Sequence, residues 1–174
     1  MRNYHTPPTT IILATPGWSK LVRGITAHAP RWVMATLRQQ GIKPASCAVN
    51  VIFADDKLLQ SLNHDYRAKN YATNVLSYPQ YTPRQLSRAL KTATAKQPVF
   101  LGEIYIAQGV VQREAKQQSK AIAAHTAHLV VHGVLHLLGH DHLRPRPATR
   151  MENAEREILA AFGIKDPYLL PANG

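Results

Sequence analysis

The stretch His132-Gly-Val-Leu-His-Leu-Leu-Gly-His-Asp-His142 decides how this part of the chain folds. The segment before it contains no proline, and its apolar residues recur at helical spacing. His132 and His136 therefore lie on one face of a helix, one turn apart. Gly139 can end that helix in a left-handed conformation, which would let the chain reverse and bring His142 toward the same point. Three imidazoles converging beside an open fourth position form the arrangement that catalytic zinc uses.

The histidines and the glycine also match the zinc-protease pattern H-E-x-x-H-x-x-G-x-x-H. The glutamate of that pattern is the general base of peptide hydrolysis. Gly133 stands at its position in this chain, and a glycine cannot accept a proton. The motif therefore predicts a metal site for a substrate other than a peptide bond, although a metalloprotease stays a third hypothesis on the histidine spacing.

The chain is rich in histidine, with nine in 174 residues. His125, His128 and His140 lie close to the motif without an evident role. The alternative interpretation is that the motif's histidines are ordinary helix residues. Three histidines at ligand spacing with a turn glycine favour the metal site.

Composition is that of one globular domain, with 45% hydrophobic and 18% charged residues. The single Cys47 excludes an intramolecular disulfide and a multi-cysteine zinc site, which favours a reducing compartment. The apolar run of residues 11–14 is too short for a signal peptide, and no window is long enough for a membrane span. We expect a soluble, cytoplasmic protein with no membrane partner.

The charge balance is strongly basic, with 21 Lys plus Arg against 10 Asp plus Glu, a net charge of +11. Such an excess attracts polyanions by counterion release, and nucleic acid is the commonest polyanion in the cell. The alternative is that the chain is merely basic, since net charge by itself concerns solubility and association. There are no long Lys/Arg runs, so any basic surface must be assembled by the fold.

Helical and alternating patterns follow one another along the chain, which indicates mixed α and β structure around one small sheet of about four strands, an α/β (α+β) fold. The predicted strands are Thr9–Ala14, Ala48–Ala54, Asn74–Tyr78 and Val99–Ala107. The predicted helices are Ile25–Gln40, a helix capped by Asp55, Pro83 to about Ala95, 108–139 with a possible break near Ala121–Ala124, and about Pro147–Phe162. We divide the chain into an N-terminal extension (1–20), one domain (21–165) and a tail (166–174).

A second polar stretch, residues 62–79, reads LNHDYRAKNYATNVLSYP between a helix and a strand. Arg67 stands out because a guanidinium fits phosphate oxygens bidentately and could stabilise charge on a scissile phosphate. The alternative is an ordinary surface or helix-end arginine. Lys69, Thr73, Asn74 and Ser77 could line the same groove, although each is also common in loops.

Two further carboxylates are candidates for supporting roles. Asp141 could orient a ligand imidazole, because ligating histidines usually donate their other N–H to an acceptor, or it could handle protons for an attacking water. Glu103 either faces outward from its strand or points into the cleft. The sequence leaves both choices open.

These blocks resemble the YbeY family of bacterial endoribonucleases. His132–His142 is similar throughout to the family signature H-G-x-L-H-L-x-G-[YH]-D-H. Residues 62–79 resemble the block L-N-x-x-Y-R-x-K-D-x-x-T-D-V-L-S-F-P, and Leu101–Ile104 resembles L-G-[DE]-I. The resemblance covers about residues 45–163. Asn70 and Asn74 depart from it, since the family tends to have aspartates there, and the signature position His140 is frequently tyrosine.

The resemblance implies a compact α/β domain with a metal site at the end of a cleft. It implies a single-strand-specific, metal-dependent endoribonuclease that acts in 16S rRNA 3′-end maturation and late ribosome quality control. His132, His136 and His142 would bind one Zn²⁺ per chain, and Arg67 would be the cleft arginine needed for activity. The 16S rRNA precursor, the small ribosomal subunit and its assembly factors would be the partners.

The main alternative is a ribosome-assembly or RNA-binding factor with a mainly structural zinc. Structural zinc sites are usually closed by four protein ligands, whereas catalytic sites keep one position open. His140 as a fourth ligand would therefore favour the assembly factor.

Overall fold

The computed structural model describes residues 9–141 and 143–169. His142, the third predicted ligand, lies outside the described residues, as do residues 1–8 and 170–174.

Strands and helices alternate, as the sequence patterns predict. The strands are β1 (Thr9–Leu13), β2 (Cys47–Ala54), β3 (Val75–Pro79) and β4 (Val99–Ala107). The helices are α1 (Gly17–Leu21), α2 (Ile25–Gln39), α3 (Asp56–Arg67), α4 (Pro83–Thr92), α5 (Gln108–Gln117), α6 (Ile122–Leu137) and α7 (Pro145–Ala160). The mixed α and β class is confirmed, and the suggested break in the long helical region separates α5 from α6.

The sheet has the order β1-β2-β4-β3, with β1, β2 and β4 parallel and β3 antiparallel to β4. The expected sheet of about four mixed strands is therefore confirmed. Gly102 lies beside a register shift between β2 and β4 and has a φ of +136°. A Cβ at this position would overlap the carbonyl oxygen of Tyr78 on β3, so the close approach of the two backbones requires glycine here.

Local signals set the helix ends. The Asp55 side chain accepts a hydrogen bond from the backbone N–H of Leu58 at 2.9 Å, which caps the start of α3. Thr82 and Gln85 form a capping box at the start of α4. Gly139 has a φ of +90° just after α6, so the expected glycine turn is present.

Helix α6 is the centre of the core. Most of its residues are buried, because it packs on β3 and β4 and is flanked by α2, α5 and α7. Helix α3 covers the other face of the sheet, where Leu59 packs with Ile52 and Leu76. None of the helices formed by the described residues is long and apolar enough to cross a membrane.

Residues 9–20, which we set outside the domain on sequence, pack against it. Strand β1 pairs with β2 along the edge of the sheet. Trp18 of α1 is fully buried, and its indole N–H donates to the Ala54 carbonyl at 2.9 Å. Its ring packs edge-on against Phe53 with a centroid distance of 5.0 Å.

Candidate metal centre and cleft

Helix α6 brings the first two histidines of the motif together. His132 and His136 are both half-buried, and their Nε2 atoms lie 3.0 Å apart. This pairing follows from the four-residue spacing, which stacks the two side chains on one face of the helix. The predicted convergence of His132 and His136 is therefore present, while His142 lies outside the described residues.

The opposite nitrogens of the two rings meet hydrogen-bond acceptors. His132 Nδ1 lies 2.7 Å from Glu155 Oε1, and His136 Nδ1 lies 2.9 Å from the carbonyl oxygen of His140. A carbonyl and an ionised carboxylate can only accept, so both Nδ1 atoms carry a hydrogen and Nε2 is the atom of each ring that can bind a metal. The two Nε2 atoms, 3.0 Å apart, are placed to share one cation. The donor set fits a metal ion.

Glu155 is a fully buried carboxylate on α7. It accepts hydrogen bonds from His132, from His128 Nε2 at 3.2 Å and from the Tyr168 hydroxyl. Burial by itself would raise the pKa of this carboxyl group, but the hydrogen bonds from the two imidazoles outweigh it and lower the pKa to about 2. Glu155 is therefore ionised at neutral pH.

His128, His132 and Glu155 also form a group that could hold a metal ion, since their ligand atoms lie within 4.8 Å of one another. This group and the His132–His136 pair share one imidazole. They use opposite sides of it, because Nδ1 of His132 faces Glu155 and Nε2 faces His136. The two arrangements predict different losses of metal affinity when His128, His136 or Glu155 is replaced.

A cleft of about 320 Å³ opens beside the two motif histidines. It is lined by Arg67, Thr73, Asn74, Val75, Ser77, Pro79, His132 and His136. The predicted groove residues Arg67, Thr73 and Ser77 thus share one cavity with both histidines. Arg67 is the last residue of α3, and it forms no ion pair with a carboxylate of the described residues. Its guanidinium can therefore meet an anionic ligand in the cleft.

Asn74 joins the cleft to a buried network. Its amide nitrogen donates to both oxygens of Glu114, at 3.2 and 3.0 Å, and His125 Nε2 lies 2.7 Å from the same carboxylate. Burial acts to raise the pKa of the Glu114 carboxyl group, but the hydrogen bonds from His125 and Asn74 outweigh it, so the pKa lies below its ordinary value.

Two other predicted site residues, Lys69 and Asp141, do not line the cleft. Lys69 is exposed, with its ammonium nitrogen 6.0 Å from the centroid of the Tyr71 ring, and it does not line the cleft. Asp141 accepts from the backbone N–H of Leu143 at 2.9 Å and so shapes the turn after Gly139. The acceptors behind the rings of His132 and His136 are instead the carboxylate of Glu155 and the carbonyl of His140.

Glu103 belongs to the side of the sheet that α3 covers. It accepts a hydrogen bond from the Tyr105 hydroxyl at 2.8 Å and from the Asn50 amide at 3.2 Å. Together with burial, this carboxylate raises the pKa of Tyr105 to about 12. Glu103 is absent from the residues that line the cleft, so its polar contacts are made within the sheet.

Gly133 has no room for a side chain. A Cβ at this position would lie 2.7 Å from Cγ2 of Ile104, because α6 packs closely on β4 there. A glutamate at this position, as in zinc proteases, would therefore require Ile104 or α6 to shift. This close packing counts against the metalloprotease hypothesis.

His140 points away from the histidine pair. Its Nε2 atom donates to Oε1 of Gln40 at 2.7 Å, across to the end of α2. Burial and then the charge of Arg150 lower the pKa of this imidazole. His140 as a fourth ligand would have favoured a closed structural zinc site, but its ring is directed toward Gln40 instead.

The residues that sequence reasoning missed are Glu155, His128 and Tyr168. A signal for Glu155 exists, because it falls within the apolar stripe of α7 formed by Met151, Ala154, Ile158 and Leu159. A carboxylate at a core position of a helix needs buried donors. The sequence contains no comparable signal for the hydrogen bond from Tyr168 to Glu155, since Tyr168 lies after α7.

Comparisons with known proteins identify the family of this chain. The family model described as Endoribonuclease YbeY matches residues 20–163. Proteins of that name from Xanthomonas axonopodis pv. citri (strain 306) and Stenotrophomonas maltophilia (strain K279a) are 50% and 51% identical over 138 residues, 79% of this chain and 80% of each relative. The solution structure of TM1509 from Thermotoga maritima has the same fold, with a TM-score of 0.54 and 20% identity over 92% of this chain and 99% of that one. The chain therefore belongs to the YbeY endoribonuclease family.

Proposed function

We propose that this protein is a single-strand-specific, metal-dependent endoribonuclease that hydrolyses RNA phosphodiester bonds. The observation that carries the proposal is one cleft that His132 and His136, whose Nε2 atoms lie 3.0 Å apart, share with Arg67. Metal-assisted phosphodiester hydrolysis needs a cation and a positive group that holds the phosphate. Membership of the YbeY family and the net charge of +11 support RNA as the substrate.

His132, His136 and, on the motif, His142 would hold one Zn²⁺ per chain. Zinc bound there would supply Lewis acidity toward a phosphate oxygen. Glu155 and the His140 carbonyl prepare the two described rings, because each holds an Nδ1 hydrogen and so keeps Nε2 available as a ligand. The carboxylate of Glu155 accepts from three donors, which suits it to orient His132 rather than to bind the ion itself.

Arg67 would bind the non-bridging oxygens of the scissile phosphate and offset the charge that develops on them. The hydroxyls of Thr73 and Ser77 would donate to the sugar–phosphate backbone in the same cavity. Unpaired RNA fits such a site better than a duplex, because its bases can turn outward while the backbone enters the cleft.

In the cell, we assign the protein to 16S rRNA 3′-end maturation and late ribosome quality control in the cytoplasm. Its partners would be the 16S rRNA precursor, the small ribosomal subunit and its assembly factors. The family membership and the basic charge support this assignment.

The test is cleavage of a single-stranded RNA that ends in a 16S-like 3′ tail. Wild type, His136→Ala and Arg67→Ala would be compared after chelation, with and without restored zinc. His28→Ala and Arg23→Ala are matched controls, because both residues are exposed near the start of α2, away from the cleft. We expect zinc-dependent cleavage in wild type and both controls and its loss in the two cleft variants.

Arg67→Ala should still bind zinc, whereas His136→Ala should not, which separates the two roles. Absence of cleavage in wild type, with tight RNA binding in all the proteins, would overturn the nuclease and favour the assembly factor. A DNA strand of the same sequence tests whether ribose is required.

A further inference from the structure

A second groove lies between the end of α2 and helix α7. It has a volume of about 680 Å³. It is lined by Gln39, Gln40, His140, Pro145, Arg146, Thr149, Arg150, Asn153, Ala154 and Glu157. Apart from Pro145 and Ala154, every lining side chain is polar or charged. Such a surface suits a polar, extended ligand.

This groove adjoins the candidate metal centre through one residue. The carbonyl of His140 accepts from Nδ1 of His136, whose ring lines the cleft, and the His140 ring lines the groove. The hydrogen bond to Gln40 holds that ring in the groove wall. The hydrogen bond between His136 and His140 therefore joins a wall of the cleft to a wall of the groove.

The groove contains two arginines without a carboxylate partner among the described residues. Arg146 and Arg150 are exposed and one turn apart on α7, so their like charges repel. In contrast, Arg156 on the same helix pairs with Asp166 at 3.0 Å, and Arg113 pairs with Asp56 at 2.9 Å. Two unmatched guanidiniums side by side are stabilised by an anion that spans both.

Glu157 is the single acid among the residues that line the groove. Glu157 accepts a hydrogen bond from the Gln39 amide at 2.8 Å and follows the two arginines by two or more turns of α7. The groove lining therefore has two arginines against one carboxylate, an excess of positive charge. Arginine suits phosphodiester oxygens because its planar fork donates two parallel hydrogen bonds.

We propose that this α2–α7 groove binds the sugar–phosphate backbone of the same RNA strand, beyond the scissile nucleotide, with Arg146 and Arg150 contacting two of its phosphates. The proposal rests on the function assigned above and extends it. The cleft positions the bond to be cut, and the groove holds the flank that leaves past His136. Substrate length then matters, because a short RNA fills the cleft without reaching the groove.

The test compares the double variant Arg146→Ala/Arg150→Ala with wild type on two RNAs. One has about twelve nucleotides, and the other has about four, near the lower limit of single-strand binding sites. The control is Lys20→Ala/Arg23→Ala, which removes the same charge at the opposite end of α2, about 20 Å from Gln40 along the helix axis. Affinity for uncleaved RNA is measured across a salt series alongside cleavage.

For the longer RNA we expect KM to rise about tenfold in the groove variant with kcat unchanged, since two exposed charge contacts are lost. The slope of log affinity against log salt should become less steep by about 1.4, or about 0.7 per phosphate contact. The short RNA and the control variant should show neither change.

Equal KM and equal salt slopes for wild type and the groove variant on the longer RNA would overturn the proposal. So would a loss of kcat on the short RNA, because the arginines would then act through the fold or the metal centre. If wild type bound RNA but did not cleave it, the nuclease proposal would fail. The salt slope would still decide whether the groove binds the strand.

Discussion

The substitution Glu155→Gln tests how much the hydrogen bond from His132 to Glu155 contributes to metal binding, because it leaves the histidine motif unchanged. The buried carboxylate accepts at Oε1 from His132 Nδ1, at 2.7 Å, and at Oε2 from His128 and from the Tyr168 hydroxyl. Glutamine keeps the shape of the side chain but is neutral and places an NH₂ group where one of these oxygens stood. At least one donor would then face another donor, and the His132 ring would lose its fixed orientation or its tautomer.

We expect the affinity for Zn²⁺ to fall roughly 10- to 100-fold, the usual cost of removing the partner that orients a ligating histidine. At about 1.4 kcal/mol per tenfold, this corresponds to about 1.4–2.8 kcal/mol of binding free energy. The value matches one charge-assisted hydrogen bond, about 1.5–3 kcal/mol. His136→Ala, which removes a ligand, should abolish measurable binding.

Competition with a chromophoric chelator on the full-length, metal-stripped protein measures this affinity. Glu152→Gln is the matched control, because it makes the same change on the same helix at a partly exposed carboxylate that pairs with Arg156 at 3.3 Å. Thermal unfolding of the metal-free proteins shows whether each variant folds.

The alternative arrangement, with the ion among His128, His132 and Glu155, predicts a different pattern. Glu155→Gln and His128→Gln would then abolish binding, and His136→Ala would leave it almost unchanged. That result would refute the supporting role of Glu155. An affinity of Glu155→Gln within about twofold of wild type would refute it as well, since an outer partner normally contributes more.

Three further predictions concern stability. Gly133→Ala should lower the free energy of unfolding in urea by about 1–3 kcal/mol, because its Cβ would crowd Ile104; an unchanged value would mean that α6 can move away from β4. Trp18→Ala should cost about 3–5 kcal/mol in the same assay, since the indole is fully buried, and a neutral effect would show that residues 9–20 do not belong to the cooperative unit. Glu114 has a lowered pKa in the folded state, so its contribution is full above its ordinary value of 4.5 and is lost as the pH falls. Glu114→Gln should therefore lose less stability than wild type on acidification, and parallel pH profiles would contradict this reasoning.

Much of the fold follows from local signals. The alternation of residues 48–54 and the caps at Asp55 and Thr82 predict their elements to within a few residues, because each depends on neighbours in the chain. The division between α5 and α6 was also foreseen, near its actual place. Helix α1 was missed, since five residues show too little periodicity to be recognised.

Other features of the fold depend on tertiary packing and could not be predicted from local sequence signals. Strand order within the sheet and the burial of Trp18 depend on contacts between segments far apart in sequence. Lys69 illustrates the reverse case: its place in a polar stretch predicts a groove residue, but the turn after Arg67 directs it over Tyr71.

The spacing of His132 and His136 is enough to predict that their imidazoles meet, because the geometry of a helix is local. Which nitrogen of each ring faces the cleft depends on an acceptor behind it. For His136 that acceptor is the carbonyl of His140, which the turn at Gly139 places after the helix ends. For His132 it is Glu155, 23 residues away on α7, and only the packing of α7 on α6 buries that carboxylate against the ring. Sequence therefore specifies the candidate ligands, and tertiary structure sets the tautomer and orientation in which they can bind a metal.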